Sequence, residues 1–404
     1  MDEVFDLKLI SKLFIAGSIG LIAATLSCVA QTSGAKDSRR SDALALEQQG
    51  RIADAIAAWQ AIAKARPGDA EAYAHLGLLE ARDGHYKEAI PFYRKALGLN
   101  PQIPGLRLNL GLAYFKAGNM RSAVATFEPL LHETRPGSAE ALRLNTLIGL
   151  AQYGMGEYAN AVPFLRTVTA ADPANLQFRF YLAQSCLWSK QYECVLDVYR
   201  EILTLNAVSP EADMLAGEAY DEMKDEVHAL QEFEAAVKTG PDTPDVHFGY
   251  GYLLWRALRF EEAEKEFKSE LANNPAHPLA LTYLADVEIR ANRSDEAVPY
   301  LVHAIQIQPS IALAHLDLGA IYATQGRSED AVRELREAER LSPKDPKMHW
   351  QLGRLYLTLG RTAEAKAELE KTRSLQDAAD QSVVEKLHPA QSTPPGTNAG
   401  VDTK

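Results

Sequence analysis

The stretch that decides the fold runs from Ala70 to Gln102 and reads AEAYAHLGLLEARDGHYKEAIPFYRKALGLNPQ. Its apolar and small residues recur at helical spacing on both sides of a turn at Asp83-Gly84, which predicts two antiparallel helices. Gly77 in the first helix and Ala89 in the second have little side chain, so the two helices can approach closely. A single pair of this kind cannot bury its own apolar face, and it therefore needs copies of itself on either side.

Such copies follow one another at a period of 34 residues along most of the chain. The small residue of the first helix recurs at Gly77, Gly111, Gly149, Ala183, Gly217, Gly251, Ala285, Gly319 and Gly353. The spacing slips once, by four residues, between the second and third of these positions. A large residue of the second helix recurs at Tyr93, Phe127, Leu165, Tyr199, Phe233, Phe267, Leu301, Leu335 and Leu369. This period predicts a solenoid that grows by stacking helix pairs.

The pattern resembles the tetratricopeptide repeat, a 34-residue helix–turn–helix unit with a small residue in each helix and a proline after the second. The resemblance covers about ten repeats from residue 36 to residue 377, with a four-residue insertion near 132–138 that we interpret as a longer connection between repeats. It implies an all-α fold, a right-handed superhelical α-solenoid of antiparallel helix pairs. Members of the family act as scaffolds that bind other proteins.

The first 35 residues do not follow the repeat. Two lysines precede an apolar segment, and no charge follows until Lys36, which is the layout of an export signal. Three fates fit it: cleavage after Ala30, lipidation at Cys28, or retention of residues 13–30 as a membrane anchor. Each fate predicts export of the repeats, to the periplasm or outside the cell, with anchoring in the inner membrane if the segment is retained.

The remaining composition limits the classes of function. Residues 378–404 are rich in Pro, Gly, Ser and Thr, which predicts a disordered tail. The formal charge of −12 disfavours nucleic acid as a partner, because phosphates are bound by a surplus of lysine and arginine. The sequence holds no nucleophile elbow, P-loop, dinucleotide fingerprint or metal-ligand spacing. His247, His315 and His349 share one repeat position, which favours packing over catalysis. We therefore expect no enzymatic activity, cofactor or metal site.

The resemblance also implies where a partner would bind. In the family, the first helices line a concave groove, and the positions that face it lie six and three residues before the small residue and one and four residues after it. On this chain they give a protein-binding groove of Leu108, Leu112, Phe115, Leu150, Tyr153, Phe180, Gln184, Leu187, Met214, Phe248, Tyr252 and Trp255. Such an apolar, aromatic surface suits a peptide or helical segment. The alternative is that curvature buries these residues against adjacent repeats.

A second family feature is absent. Chaperone-binding members hold a peptide's terminal carboxylate with a lysine–asparagine–arginine clamp, but the matching positions here carry residues such as Leu108 and Leu112. A carboxylate-ended ligand is therefore not expected. Cys186 and Cys194 flank a turn in the fifth repeat, where they form either a disulfide or two buried thiols. We interpret the chain as a non-enzymatic protein–protein interaction scaffold of a bacterial-type cell envelope. The alternative is an accessory subunit of an envelope enzyme or of a secretion or polysaccharide assembly complex.

Overall fold

The computed structural model describes residues 38–387, and every regular element in that range is an α-helix. The chain divides into two compact units, with the boundary between Asp225 and Glu226. The first unit contains α1 (Ser38–Gln48), α2 (Ile52–Ala65), α3 (Ala70–Arg82), α4 (Tyr86–Leu99), α5 (Leu106–Lys116), α6 (Met120–Glu133), α7 (Ala139–Gly154), α8 (Tyr158–Ala171), α9 (Leu176–Trp188), α10 (Tyr192–Leu205) and α11 (Pro210–Glu222). The second contains α12 (Glu226–Thr239), α13 (Val246–Arg256), α14 (Phe260–Asn273), α15 (Pro278–Arg290), α16 (Ser294–Ile307), α17 (Ala312–Thr324), α18 (Ser328–Leu341), α19 (Pro346–Thr358) and α20 (Thr362–Leu387). The predicted all-α class is confirmed.

Within each unit, consecutive helices pack against each other through short connections. The first helix of a pair also contacts the first helix of the next pair, as α3 does with α5 and α9 with α11 in the first unit. In the second unit, α13, α15, α17 and α19 are neighbours in the same way. Each unit is therefore a stack of helix pairs with one further helix, α11 in the first unit and α12 in the second, the α-solenoid arrangement that the 34-residue period predicts.

Local sequence signals set the ends of these helices. Asp69 caps α3, because its carboxylate accepts a hydrogen bond from the Ala72 N–H at 3.2 Å. The predicted turn after α3 contains Gly84 with φ of +84°, a left-handed conformation that glycine adopts without a steric cost. Helix α4 ends at Leu99, two residues before Pro101. Proline also opens α11, α15 and α19 at their first helical position.

The small residues of the first helices lie against the large residues of the second helices, as the repeat pattern predicts. A Cβ added at Gly77 would lie 2.6 Å from Tyr93 Cδ1, and one added at Gly319 would lie 2.7 Å from Leu335 Cγ. Tyr93 and Leu335 are each 1% exposed. Each such contact joins the two helices of one pair, so the recurring glycine is required by close packing.

The four-residue insertion is not a longer loop, as the sequence suggested, but mostly an extra turn of helix. Helix α7 has 16 residues, whereas α3, α9 and α17 have 13. Ser138 precedes it and caps it by accepting the Ala141 N–H at 3.1 Å. The added residues stand before Gly149, so they lengthen the start of the helix by about one turn. Because these residues open the helix, their carbonyl groups accept hydrogen bonds from the following turn, while the Ala141 N–H is paired with the Ser138 side chain.

The last helix continues beyond the predicted end of the repeats at residue 377. Helix α20 has 26 residues and ends at Leu387, so residues 378–387 are helical rather than part of a disordered tail. The predicted export segment at residues 1–35, the lipidation candidate Cys28 and residues 388–404 lie outside the described residues. Between residues 38 and 387, no helix combines the length and the apolar character needed to cross a bilayer.

Candidate functional site

The twelve predicted groove residues fall into two groups by exposure, and none of them is fully exposed. Five are buried: Leu108, Phe115, Leu150, Tyr153 and Leu187. The other seven are half-buried: Leu112, Phe180, Gln184, Met214, Phe248, Tyr252 and Trp255. The same repeat positions therefore have different environments in different parts of the chain.

The buried group belongs to the core of the first unit. Its five members lie in one hydrophobic cluster, with Leu112 and Phe180 packed against it. The Tyr153 hydroxyl donates a hydrogen bond to Gln184 Oε1 at 2.6 Å, across adjacent repeats. For these residues the structure does not show the open apolar groove, because neighbouring repeats cover the side chains. These side chains pack one repeat against the next, which is the alternative to an open groove.

The half-buried aromatic residues of the second unit form a different arrangement, which we call the aromatic cluster: Phe248, Tyr252 and Trp255 from α13, and Tyr283 from α15. The ring centroid of Tyr283 lies 5.2 Å from that of Tyr252 and 5.0 Å from that of Trp255, both in edge-to-face geometry. The rings of Tyr252 and Trp255 lie nearly parallel, with centroids 6.0 Å apart. All four side chains keep part of their surface exposed.

Charged groups border the aromatic cluster. The Trp255 indole N–H donates to Asp286 Oδ2 at 2.6 Å, and Arg290 Nε donates to the same oxygen. The Arg290 guanidinium also lies 5.6 Å from the centroid of the Trp255 ring. Burial raises the pKa of Tyr283 to about 12, and Tyr252 adds to this, so Tyr283 is neutral at physiological pH. Aromatic faces, a carboxylate and a guanidinium suit non-covalent recognition of another molecule.

The repeat positions predict three of the four aromatic residues but miss Tyr283 and Asp286. Asp286 lies one residue after Ala285, a position that the family rule includes, so the rule could have found it in the eighth repeat. Tyr283 lies two residues before Ala285, at a position outside that rule. Its place in the cluster depends on the side chains that α13 presents to α15.

The three histidines at one repeat position share one environment. Nδ1 of His247, His315 and His349 forms a hydrogen bond with a glutamate 19 residues later: Glu266 at 2.6 Å, Glu334 at 2.8 Å and Glu368 at 2.8 Å. Nε2 of His315 and His349 also lies within hydrogen-bond distance of a proline carbonyl six residues earlier. All three histidines are buried. These pairs join the two helices of a repeat, in agreement with a packing role.

Among the described residues, two groups of side chains have the spacing of metal ligands, and both take part in hydrogen bonds within the protein. His277 Nδ1 accepts the Ala280 N–H, so its Nε2–H donates to Asp245, while Glu270 accepts the Phe248 N–H. In the other group, Lys371 Nζ donates to both Glu339 and Glu368 beside His349. Each of these side chains thus already has a hydrogen-bond partner within the protein.

The first unit also contains a disulfide bond and an exposed tryptophan. The Sγ atoms of Cys186 and Cys194 are bonded at 2.03 Å, which links α9 to α10 across their turn. Trp188, at the end of α9, is 42% exposed, and its ring centroid lies 4.5 Å from that of Tyr158. The repeat-position rule did not include Trp188, which is a surface tryptophan of the first unit.

Comparison with known families agrees with this architecture. One family model described as tetratricopeptide repeat matches residues 42–104, 146–210, 228–278, 251–310 and 282–346, and a second matches residues 80–147 and 322–383. The chain belongs to the tetratricopeptide repeat family. Tetratricopeptide repeat proteins are generally non-enzymatic scaffolds that bind other proteins, and this chain has the fold of such a scaffold.

Similarity to individual proteins is more distant. The chain is 28% identical over 203 residues to cellulose synthase operon protein C of Pseudomonas fluorescens, across 46% of this chain and 15% of that protein. It is 21% identical over 231 residues to BBSome complex member BBS4 of Bos taurus, across 48% of this chain and 44% of that protein. The chain thus spans less than half the length of the curated relatives that it matches.

Solved structures of tetratricopeptide repeat proteins also align with the chain. One from Parabacteroides merdae aligns with a TM-score of 0.47 at 17% identity and covers 66% of this chain and 97% of that one. YrrB, described as a TPR protein with an unusual peptide-binding site, aligns with a TM-score of 0.38 at 16% identity and covers 47% of this chain and 97% of that one.

Proposed function

We propose that this tetratricopeptide repeat protein binds a peptide or helical segment of another protein on the aromatic cluster of its second unit. The observation that carries the proposal is that Tyr252, Trp255 and Tyr283 meet on adjacent first helices while keeping part of their surface exposed. Aromatic side chains with a polar handle are typical anchors of protein interfaces, because they bury much area at a small entropic cost. In the first unit, most side chains at the corresponding repeat positions are buried in the hydrophobic core.

The proposal includes export to a bacterial-type cell envelope. Its support is the lysine-flanked apolar segment before residue 36, and contact with a membrane is proposed through that segment alone. Cell fractionation, with the mass of the N-terminal peptide, separates cleavage after Ala30, lipidation at Cys28 and retention. A protein found in the cytosol with an intact N-terminus would contradict export. The net charge of −12 supports a protein rather than a nucleic acid as the partner.

The experiment that tests the binding site compares two variants of the full chain in a crosslinking pull-down from the native envelope. Tyr252→Ala with Trp255→Ala removes two anchors from the aromatic cluster, and we expect partner capture to fall at least tenfold with helicity unchanged. Trp188→Ala is the matched control, because it removes an exposed tryptophan from the other unit. Equal recovery of the same partners by the double variant and the unaltered protein would exclude the cluster. Loss of capture in the control alone would move the site to the first unit.

A second candidate function is that of an accessory subunit of an envelope enzyme, such as a polysaccharide assembly machine. The observation that favours it is the similarity to a protein named cellulose synthase operon protein C, which extends over about half of this chain. This candidate predicts that the chain co-purifies with a glycosyl-transfer enzyme, whose activity falls when Tyr252 and Trp255 are replaced. If capture is lost while the activity of every co-purifying enzyme is kept, the chain is a scaffold without this accessory role.

A further inference from the structure

One carboxylate beside the aromatic cluster has no partner of its own. Asp317, on α17, is half-buried, and its Oδ2 atom is buried without a hydrogen-bond partner among the described residues. Burial and the neighbouring Asp286 raise its pKa from 3.8 to about 8, although Arg290 and Lys347 act in the opposite direction. A buried acceptor that is left unpaired costs free energy, so a group that supplied the missing donor would be bound favourably.

The position of Asp317 makes it part of a larger site. Helix α15, which carries Tyr283, Asp286 and Arg290, lies between α13 and α17. Asp286 and Asp317 lie on the neighbouring helices α15 and α17, and the charge of Asp286 helps to raise the pKa of both Tyr283 and Asp317. From α13, Trp255 bonds to Asp286, and Tyr252 lies against Tyr283. Three adjacent first helices thus bring aromatic faces and two carboxylates together.

Among the described residues, the cations near Asp317 do not complete this site. Arg290 directs its Nε–H at Asp286. Lys347, on α19, is an exposed side chain that influences Asp317 without a hydrogen bond to it. The charged groups that act on Asp317 are therefore Asp286 and Arg290 from α15 and Lys347 from α19, and none of them donates to Asp317 Oδ2. Because Asp317 is only half-buried, a donor from outside the chain can reach this side chain.

The chemistry of the site selects a cation attached to an apolar stem. Aromatic faces attract ammonium and guanidinium groups, and carboxylates pair with them more strongly where water is partly excluded. A bare divalent metal ion would gain little from rings and would compete with Trp255 and Arg290 for Asp286. Lysine and arginine side chains carry both parts, because their methylene groups pack on apolar surface while the charged end reaches a polar group.

We propose that the site formed by Tyr252, Trp255, Tyr283, Asp286 and Asp317 binds a lysine or arginine side chain of the partner protein. This rests on the proposed function, since it gives the chemistry of the segment that the aromatic cluster holds. The stem of the basic residue lies against the rings, and its charged end pairs with Asp317. The overall charge of −12 favours the approach of such a segment.

The affinity of this site for a basic side chain should depend on pH. The free protein holds a proton on Asp317 up to about pH 8, and a bound cation favours the ionised form, so binding releases that proton. Affinity therefore rises with pH below about pH 8, by up to about tenfold per pH unit, and then levels off. A neutral partner that accepted a hydrogen bond from the protonated acid would show the opposite dependence.

The test uses a displayed library of 12-residue peptides, selected on the immobilised full-length protein at pH 8. We expect enrichment of a lysine or arginine, and a histidine-free selected peptide is then synthesised with that residue or with norleucine in its place. The basic peptide should bind about 10- to 100-fold more tightly than its norleucine counterpart at pH 8. Its affinity should fall from pH 8 to pH 6.

Two variants make the result specific to Asp317. Asp317→Asn keeps the shape of the side chain and should bind the basic peptide about 10- to 100-fold more weakly at pH 8, with a flat profile between pH 6 and pH 8. Asp242→Asn, which removes an exposed charge from the same unit, should behave like the unaltered protein. Selected peptides without a basic residue, or an unchanged pH profile in Asp317→Asn, would overturn this inference and leave the proposed function standing. Failure to select any peptide would overturn both.

Discussion

At the scale of single residues, the repeat depends on contacts in which a glycine leaves room for a large side chain. Gly77 lies against Tyr93, Gly251 against Phe267 and Gly319 against Leu335, and in each pair the large side chain is almost fully buried. The glycine is selected by the space that its partner needs rather than by its own backbone conformation, since each of the three glycines is inside a helix.

Gly77→Leu should therefore destabilise the pair of α3 and α4. The new side chain would collide with the Tyr93 ring, and such overpacking costs about 1–3 kcal/mol. Gly98→Leu is the matched control, because Gly98 lies in α4 with no atom within 4 Å of an added Cβ. Its effect should be neutral or stabilising by up to about 1 kcal/mol, since glycine is a poor helix former. Urea unfolding followed by circular dichroism measures both, and equal destabilisation would contradict the packing assignment.

The second prediction at this scale concerns Asp317 and the stability of the free protein. Its folded-state pKa of about 8 lies above its unfolded value of 3.8, so the folded state binds the proton more tightly. The unaltered protein therefore loses stability as the pH rises from about 4 to about 8. Asp317→Asn does not, because asparagine carries no ionisable group. The variant should be the more stable protein at pH 8, by several kcal/mol, because the folded and unfolded pKa values differ by about four and one pKa unit corresponds to about 1.4 kcal/mol.

The measurement is urea unfolding of both proteins at pH 5, 7 and 9, with Asp242→Asn as a control for the loss of one negative charge. The stability difference between Asp317→Asn and the unaltered protein should widen from pH 5 to pH 9. A constant difference across this range, or an Asp317→Asn protein that is less stable at pH 9, would show that the carboxylate has a partner.

At the scale of helices, a single covalent link joins α9 to α10. Cys186 and Cys194 are separated by eight positions, so their bond closes a short loop around one helix turn. In an oxidising compartment, the denatured full chain should contain no free thiol at either residue. Replacing both by alanine should lower the stability of this helix pair by roughly 2 kcal/mol, because the unfolded loop regains conformational entropy. Thiol titration with mass spectrometry tests the first point, and two free thiols after oxidative expression would contradict the link.

The extra turn of α7 accommodates most of the four-residue slip in the 34-residue period. Three added helical residues place about one more turn before Gly149, and Gly149 keeps its contact with Leu165. The four added residues could equally have formed a loop, because Pro136 and Gly137 follow Glu133 and these residue types are typical of turns. The helix begins at Ala139, after both of them, and Ser138 is its N-cap residue.

At the scale of the whole molecule, the sequence predicts the architecture far better than the binding site. The all-α class, the helix pairs and the glycine contacts follow from one period, because each depends on residues at fixed separation. Exposure does not follow from it. Tyr153 and Trp255 both lie four residues after the small residue, yet Tyr153 is 5% exposed and Trp255 is half-buried. Each donates a hydrogen bond to the next repeat, but the rings of Tyr158, Tyr181 and Trp188 also pack on Tyr153.

The most direct test of a binding face in the second unit is site-specific photo-crosslinking of the full chain in its native cells. A benzoylphenylalanine in place of Tyr252 should form a crosslink to a discrete protein, and Asp317→Asn in the same chain should weaken it. The same probe in place of Leu258, which is 71% exposed in the same unit, should capture no specific partner. A partner captured equally from both positions, or from position 258 alone, would contradict the assignment of the aromatic cluster as the binding face.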